Sequence, residues 1–102
     1  MPDFEISELA DEDLISIVQY TVKKWDAEQA LRYADFLDAH FTAISKGEAL
    51  TRAPFKNRPE LQSSRCKKHV VFHLVRDGEC PLIIAIFHER MDLMTRLKDR
   101  LG

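Results

Sequence analysis

The chain has 102 residues, 45% hydrophobic and 31% charged, with three Gly, four Pro and a net charge of −2. That length and balance describe one small globular domain and exclude a disordered or low-complexity chain. No apolar run approaches the ~20 residues of a membrane span. The opening MPDFEISEL is acidic and unlike a signal peptide, so a cytoplasmic protein without membrane attachment is expected. Cys66 and Cys80 are too few for a disulfide framework and are expected as free thiols.

Phe4-Glu5-Ile6 alternates and predicts a short first strand. Ser7 stands where a helix cap belongs, and Glu8, Asp11, Glu12 and Asp13 follow in the first turns, where negative charge suits the helix dipole. Ala10, Leu14, Ile17, Thr21 and Trp25 recur at helical spacing, with Val18 widening the stripe. Asp26 with Gln29 has the form of a capping box and opens a second helix. That helix carries Ala30, Ala34, Leu37, Phe41 and Ile44 on one face and stops at Gly47. So little chain separates the two helices that they must form an antiparallel hairpin.

Residues 47–60, with Gly47, Pro54 and Pro59, read as a loop. Leu61 to Lys67 and His69 to Val75 read as strands, the second rich in β-branched residues. Arg76-Asp77-Gly78-Glu79 signals a hairpin turn. Leu82 to Phe87 is apolar on both faces, as in a central strand covered on both sides, and Pro81 marks its start. Met91 to Leu101 reads as a short tail helix. Clustered helices followed by clustered strands predict an α+β domain spanning residues 1–102, a helical hairpin packed on a small antiparallel sheet with a short C-terminal helix.

Charge is unevenly distributed along the chain. Residues 1–38 hold ten Asp/Glu and three Lys/Arg, whereas residues 39–75 hold two Asp/Glu and seven Lys/Arg. The basic stretch of Arg52, Lys56, Arg58, Arg65, Lys67 and Lys68 suits an acidic partner or nucleic acid, or a scattered solvated face.

The histidines do not form a metal site. His69 and His73 lie four apart on a strand, about 13 Å, too far for one ion. His88-Glu89-Arg90-Met91-Asp92 begins like a zinc-protease motif but has Asp92 where the second histidine belongs. Cys66 with His69 or His88 could in principle form a thiol–imidazole dyad, although a lone strand cysteine is usually a small hydrophobe. His88, Glu89, Arg90 and Asp92 follow the most apolar strand and either lock its exit by ion pairs or present a polar site on a rigid edge. His73 reads as a semi-buried, hydrogen-bonded residue. Tyr20, Trp25 and Tyr33 read as core or hairpin-packing aromatics, and Phe72 and Phe87 as sheet-face core.

Arg65-Cys66-Lys67-Lys68-His69-Val70-Val71-Phe72-His73 and Ile86-Phe87-His88-Glu89-Arg90-Met91-Asp92-Leu93 resemble the C-terminal half of the ParE plasmid-stabilisation toxins, within the RelE/ParE superfamily. Ala10 to Leu14, with Ile17, Tyr20, Trp25, Ala30 and Tyr33, resembles their helical hairpin. His73 departs from the family's usual Tyr, and residues 48–60 match only loosely. The resemblance implies the toxin of a type II toxin–antitoxin pair, a DNA gyrase or type II topoisomerase inhibitor with no catalytic residue, metal or cofactor. It also implies neutralisation by a ParD-like antitoxin, with DNA reached only through that antitoxin. Candidate target contacts are Arg65, Lys67, His69, His88, Glu89, Arg90 and Asp92. Candidate antitoxin contacts are Leu14 and Ile17 on the hairpin, Arg58 and Lys68 in the basic stretch, and Val70 and Phe72 on the next strand. Two alternatives stand beside this reading, a RelE-like ribosome-dependent mRNA endoribonuclease and a non-toxic family member that acts only as a binding module.

Overall fold

A computed structural model describes residues 3–102, so Met1 and Pro2 of the acidic N-terminal stretch lie outside the described residues. The element order is β1 (Glu5–Ile6), α1 (Glu8–Lys24), α2 (Ala27–Ser45), β2 (Leu61–Cys66), β3 (His69–Leu74), β4 (Leu82–His88) and α3 (Leu93–Leu101). Three side chains start the three helices. The Ser7 hydroxyl accepts from Ala10 N–H, the Asp26 carboxylate from Gln29 N–H and the Asp92 carboxylate from Thr95 N–H. Each satisfies a donor that has no partner inside its helix. Asp92 therefore fixes the start of α3 at Leu93, two residues later than the sequence suggested.

The sheet order is β1-β4-β3-β2. β2, β3 and β4 form the expected antiparallel meander, but β1 joins β4 in parallel, so the sheet is mixed rather than wholly antiparallel. The reason is topological: α1 and α2 lie between β1 and the meander and return the chain to the far edge in β1's own direction. β2 ends at Cys66 because Lys67 turns with φ +56°, leaving Lys67 and Lys68 as a two-residue turn into β3. Gly47 (φ +71°) ends α2 and Gly78 (φ +72°) turns β3 into β4, as their positions predicted.

The sheet separates two cores. The hairpin covers one face, with Ala10, Leu37, Phe41 and Ile44 packed on Cys66, Val71, Ile83 and Ile86. The other face carries Leu61, Phe72, Ile84, Ala85 and Phe87 beneath Leu97 of α3, with Phe55 of the long loop alongside. Covering on both sides explains the unbroken apolar run of β4. A register shift opposite Phe72 and His73 places Ile84 and Ala85 consecutively in the second core.

Of the two places expected for Tyr20 and Trp25, the core is ruled out. Trp25 is 66% exposed and Tyr20 61% exposed, so neither packs in the core. Ala10, Leu14 and Ile17 turn toward the sheet, while Trp25 falls past the end of the helical period as the C-cap of α1. Phe72 and Phe87 are buried as expected.

β1 is too short to cover the outer edge of β4. Glu5 and Ser7 N–H groups bond the carbonyls of Pro81 and Ile83, and beyond that point side chains take over. Asp13 accepts from Ile86 N–H, and Arg100 donates to the Ile84 carbonyl. Asp13 and Arg100 also meet in a bidentate pair at 2.9 and 3.0 Å. One ion pair thus joins α1, α3 and the open edge of β4.

Candidate functional site

The charged rim lies where β2, β3 and β4 end. His69 opens β3, His88 closes β4, and they stand directly opposite each other. Glu89 N–H bonds the Lys68 carbonyl at 2.8 Å, which makes the two histidines a non-hydrogen-bonded pair, the arrangement that brings cross-strand side chains closest. Their ring centroids are 5.2 Å apart and nearly perpendicular. On the other side of His69 stands Tyr33 of α2, its hydroxyl 2.5 Å from His69 Nδ1.

The proton positions follow from the neighbours. Lys68 N–H donates to the Tyr33 hydroxyl oxygen, which leaves the hydroxyl proton for His69 Nδ1. His69 then carries its own proton on Nε2. Arg90 N–H donates to His88 Nδ1 at 3.1 Å, so His88 likewise carries a proton on Nε2. Burial, with His88 beside it and Glu89 only partly opposing, holds the His69 pKa down at about 4. His69 is therefore neutral at physiological pH, a donor and a weak base. Burial raises the Tyr33 pKa, so its hydroxyl stays protonated.

Around this pair lie the cations. Lys67, Lys68, Arg65 and Arg90 are exposed. Arg65 binds Glu89 at 2.5 Å, and the Lys67 ammonium sits 4.2 Å over the Phe36 ring. Of the seven predicted target contacts, six are thus gathered in one place. Asp92 is the exception in role: it caps α3, and hydrogen bonds from Thr95 hold its carboxyl below the usual range.

The predicted antitoxin contacts do not form one surface. Phe72 is 1% exposed and belongs to the second core. Leu14 and Ile17 are half-buried against the first. Val70 is half-buried, Lys68 is exposed in the turn, and Arg58 pairs with Glu60 at 3.0 Å. The free apolar surface of the hairpin lies elsewhere: Ile15, Val22 and Trp25 are exposed along α1 at helical spacing, with Val18 half-buried between them. A second open feature is the outer edge of β2. Ser63 exchanges both backbone bonds with Arg52, and two residues on, Arg65 points its backbone the same way with no backbone partner among the described residues.

The thiol–imidazole dyad does not form. The Cys66 thiol contacts the Phe36 carbonyl at 3.6 Å, and burial raises its pKa. His73, expected to be hydrogen-bonded, is buried with no partner at Nδ1. No group of three metal-capable side chains gathers among the described residues. Two clefts of about 240 and 380 Å³ lie away from the rim, against the β3–β4 turn and against α3, and neither is lined by a rim residue. Tyr33 carries no sequence signal as a site residue, because 36 positions separate it from His69 and only the fold closes that gap.

The family profile described as "ParE toxin of type II toxin-antitoxin system, parDE" matches residues 4–93. The chain belongs to the ParE toxin family. A curated relative, Toxin ParE of Escherichia coli, is 46% identical over 96 residues, covering 90% of this chain and 89% of that protein. Among solved structures, a chain of the chromosomal ParDE TA system from P. aeruginosa superposes with a TM-score of 0.69 at 16% identity, covering 83% of this chain and 92% of that one. This places the rim on a ParE-type fold within the RelE/ParE superfamily, in a toxin of a parDE type II system. Among the described residues of this ParE-family chain, no helix is long and apolar enough to cross a membrane.

Proposed function

We propose that the chain arrests growth by binding a type II topoisomerase of the gyrase class through the rim, without chemistry of its own. The observation that carries this reading is the state of the rim. Its only paired acid, Glu89, is held by Arg65, and His69 is a weak base, so the cluster is built for contact and poorly equipped for proton transfer. A ParD-like antitoxin neutralises it, as expected for a partner encoded with a ParE-family toxin. Its flexible segment lays an apolar helix face along Ile15, Val18, Val22 and Trp25 and continues as a strand beside Arg65 on the open edge of β2. These contacts replace Leu14, Ile17 and Phe72, which the cores already occupy.

The test is a supercoiling assay with purified gyrase, run beside a translation reaction on purified ribosomes. Gyrase inhibition is the expected result; codon-specific mRNA cuts with gyrase unaffected would transfer the chain to the ribonuclease class. The double variant His88→Ala with Arg90→Ala is expected to relieve growth arrest while antitoxin binding stays within about threefold. Undiminished toxicity would mean that the working surface lies elsewhere.

A further inference from the structure

We infer that the rim is also a phosphodiester-binding site, in which the Nε2–H groups of His69 and His88 and the cations of Lys67, Lys68 and Arg90 hold a nucleic-acid backbone directly. This goes beyond the proposed function, which needs only a protein target, and it departs from the expectation that DNA is reached only through the antitoxin.

Three observations converge on it. First, both imidazoles are fixed as donors. Tyr33 directs its proton to Nδ1 of His69, and Arg90 N–H occupies Nδ1 of His88, so each ring has its N–H at Nε2. A metal ion would require the lone pair at that same nitrogen and would break one of these bonds on each ring, whereas an anionic oxygen needs only the N–H. Second, the charge is local. Arg65 is paired with Glu89, and Asp92 caps α3, which leaves Lys67, Lys68 and Arg90 around the two imidazole N–H donors on a chain whose net charge is −2. Third, the Lys67–Lys68 turn closes β2 into β3 at this end of the sheet. Between the two histidines β3 and β4 already pair with each other, so no strand edge opens between the rings, and the free edge of β2 lies on its outer side at Arg65. Side-chain and turn donors of this kind suit phosphate oxygens.

The experiment measures fluorescence anisotropy of a labelled 30-base-pair DNA duplex, and of single-stranded RNA of the same sequence, with the full chain at several salt concentrations. Lys68→Ala with Arg90→Ala is expected to weaken binding about tenfold and to lower the salt slope by about two, because two counterion-releasing contacts are lost. His88→Phe keeps a ring in the stack but removes the N–H; it is expected to weaken binding about fivefold with the salt slope unchanged, and His88→Gln to restore part of the loss. Tighter binding to RNA than to DNA keeps the site and names RNA as its source. The inference is overturned if His88→Phe binds like the wild type. It is equally overturned if Lys23→Glu with Lys24→Glu, on α1, weakens binding as much as the rim variants, or if a polyglutamate peptide displaces DNA at equal charge. Growth arrest and antitoxin binding are read separately, so loss of this inference leaves the proposed function standing.

Discussion

His69 shows how much a single side chain here depends on its neighbours. On an open strand end it would titrate near 6.5, yet burial and the adjoining His88 hold it at about 4. A histidine whose folded pKa lies below its unfolded value leaves the unfolded state binding more protons between the two. Its contribution to stability is therefore complete above about pH 6.5 and is lost as pH falls toward 4. Urea denaturation between pH 7 and 4 is expected to show that decline, and His69→Gln to flatten it. An identical pH dependence in the variant would show that other groups, such as the buried His73, set the slope. The same residue illustrates what the sequence could not say. His69 was a target-contact candidate through the family resemblance alone, and its partner Tyr33 and its proton position were not legible, because neither leaves a local signal.

Among the elements, the joint between α1, α3 and β4 matters most for the fold. Asp13 and Arg100 are 87 positions apart, with side chains 18% and 17% exposed, and both also satisfy backbone groups of β4. Removing one partner strands the other and leaves a strand edge unpaired. Asp13→Ala is expected to cost about 3 kcal/mol in chemical denaturation, at the low end for a buried pair because some water reaches this one. A cost below about 1 kcal/mol would mean that α3 docks through Leu93, Leu97 and Leu101 alone. From the sequence Asp13 was legible only as a favourable first-turn charge, which it is by position. Helix starts at Ser7 and Asp26 were legible because capping is a local hydrogen bond. The parallel pairing of β1 was not, since two residues carry no directional signal.

Across the whole molecule, apolar and charged surfaces are separated. Acidic residues crowd the start of α1, cations crowd the rim, and an apolar ridge runs along α1 to Trp25. Trp25 is the one tryptophan in the chain, so it reports on this ridge without labelling. Antitoxin binding is expected to shift its emission to shorter wavelength. Trp25→Ala is expected to weaken antitoxin binding at least tenfold while changing stability by less than about 0.5 kcal/mol, as an exposed position should. An unshifted emission on complex formation would move the antitoxin off α1.

Helix and strand identity, the hairpin, the two covering layers of β4 and the cluster at its end were determined by the sequence itself, because periodicity, caps and turn residues act over a few positions. Only the tertiary structure decided that Trp25 leaves the inward stripe of α1, that Tyr33 fixes the proton of His69, and that Asp13 and Arg100 finish the edge of β4. The last two are meetings of residues far apart in the chain, and such meetings are set by how the layers pack and the strands register.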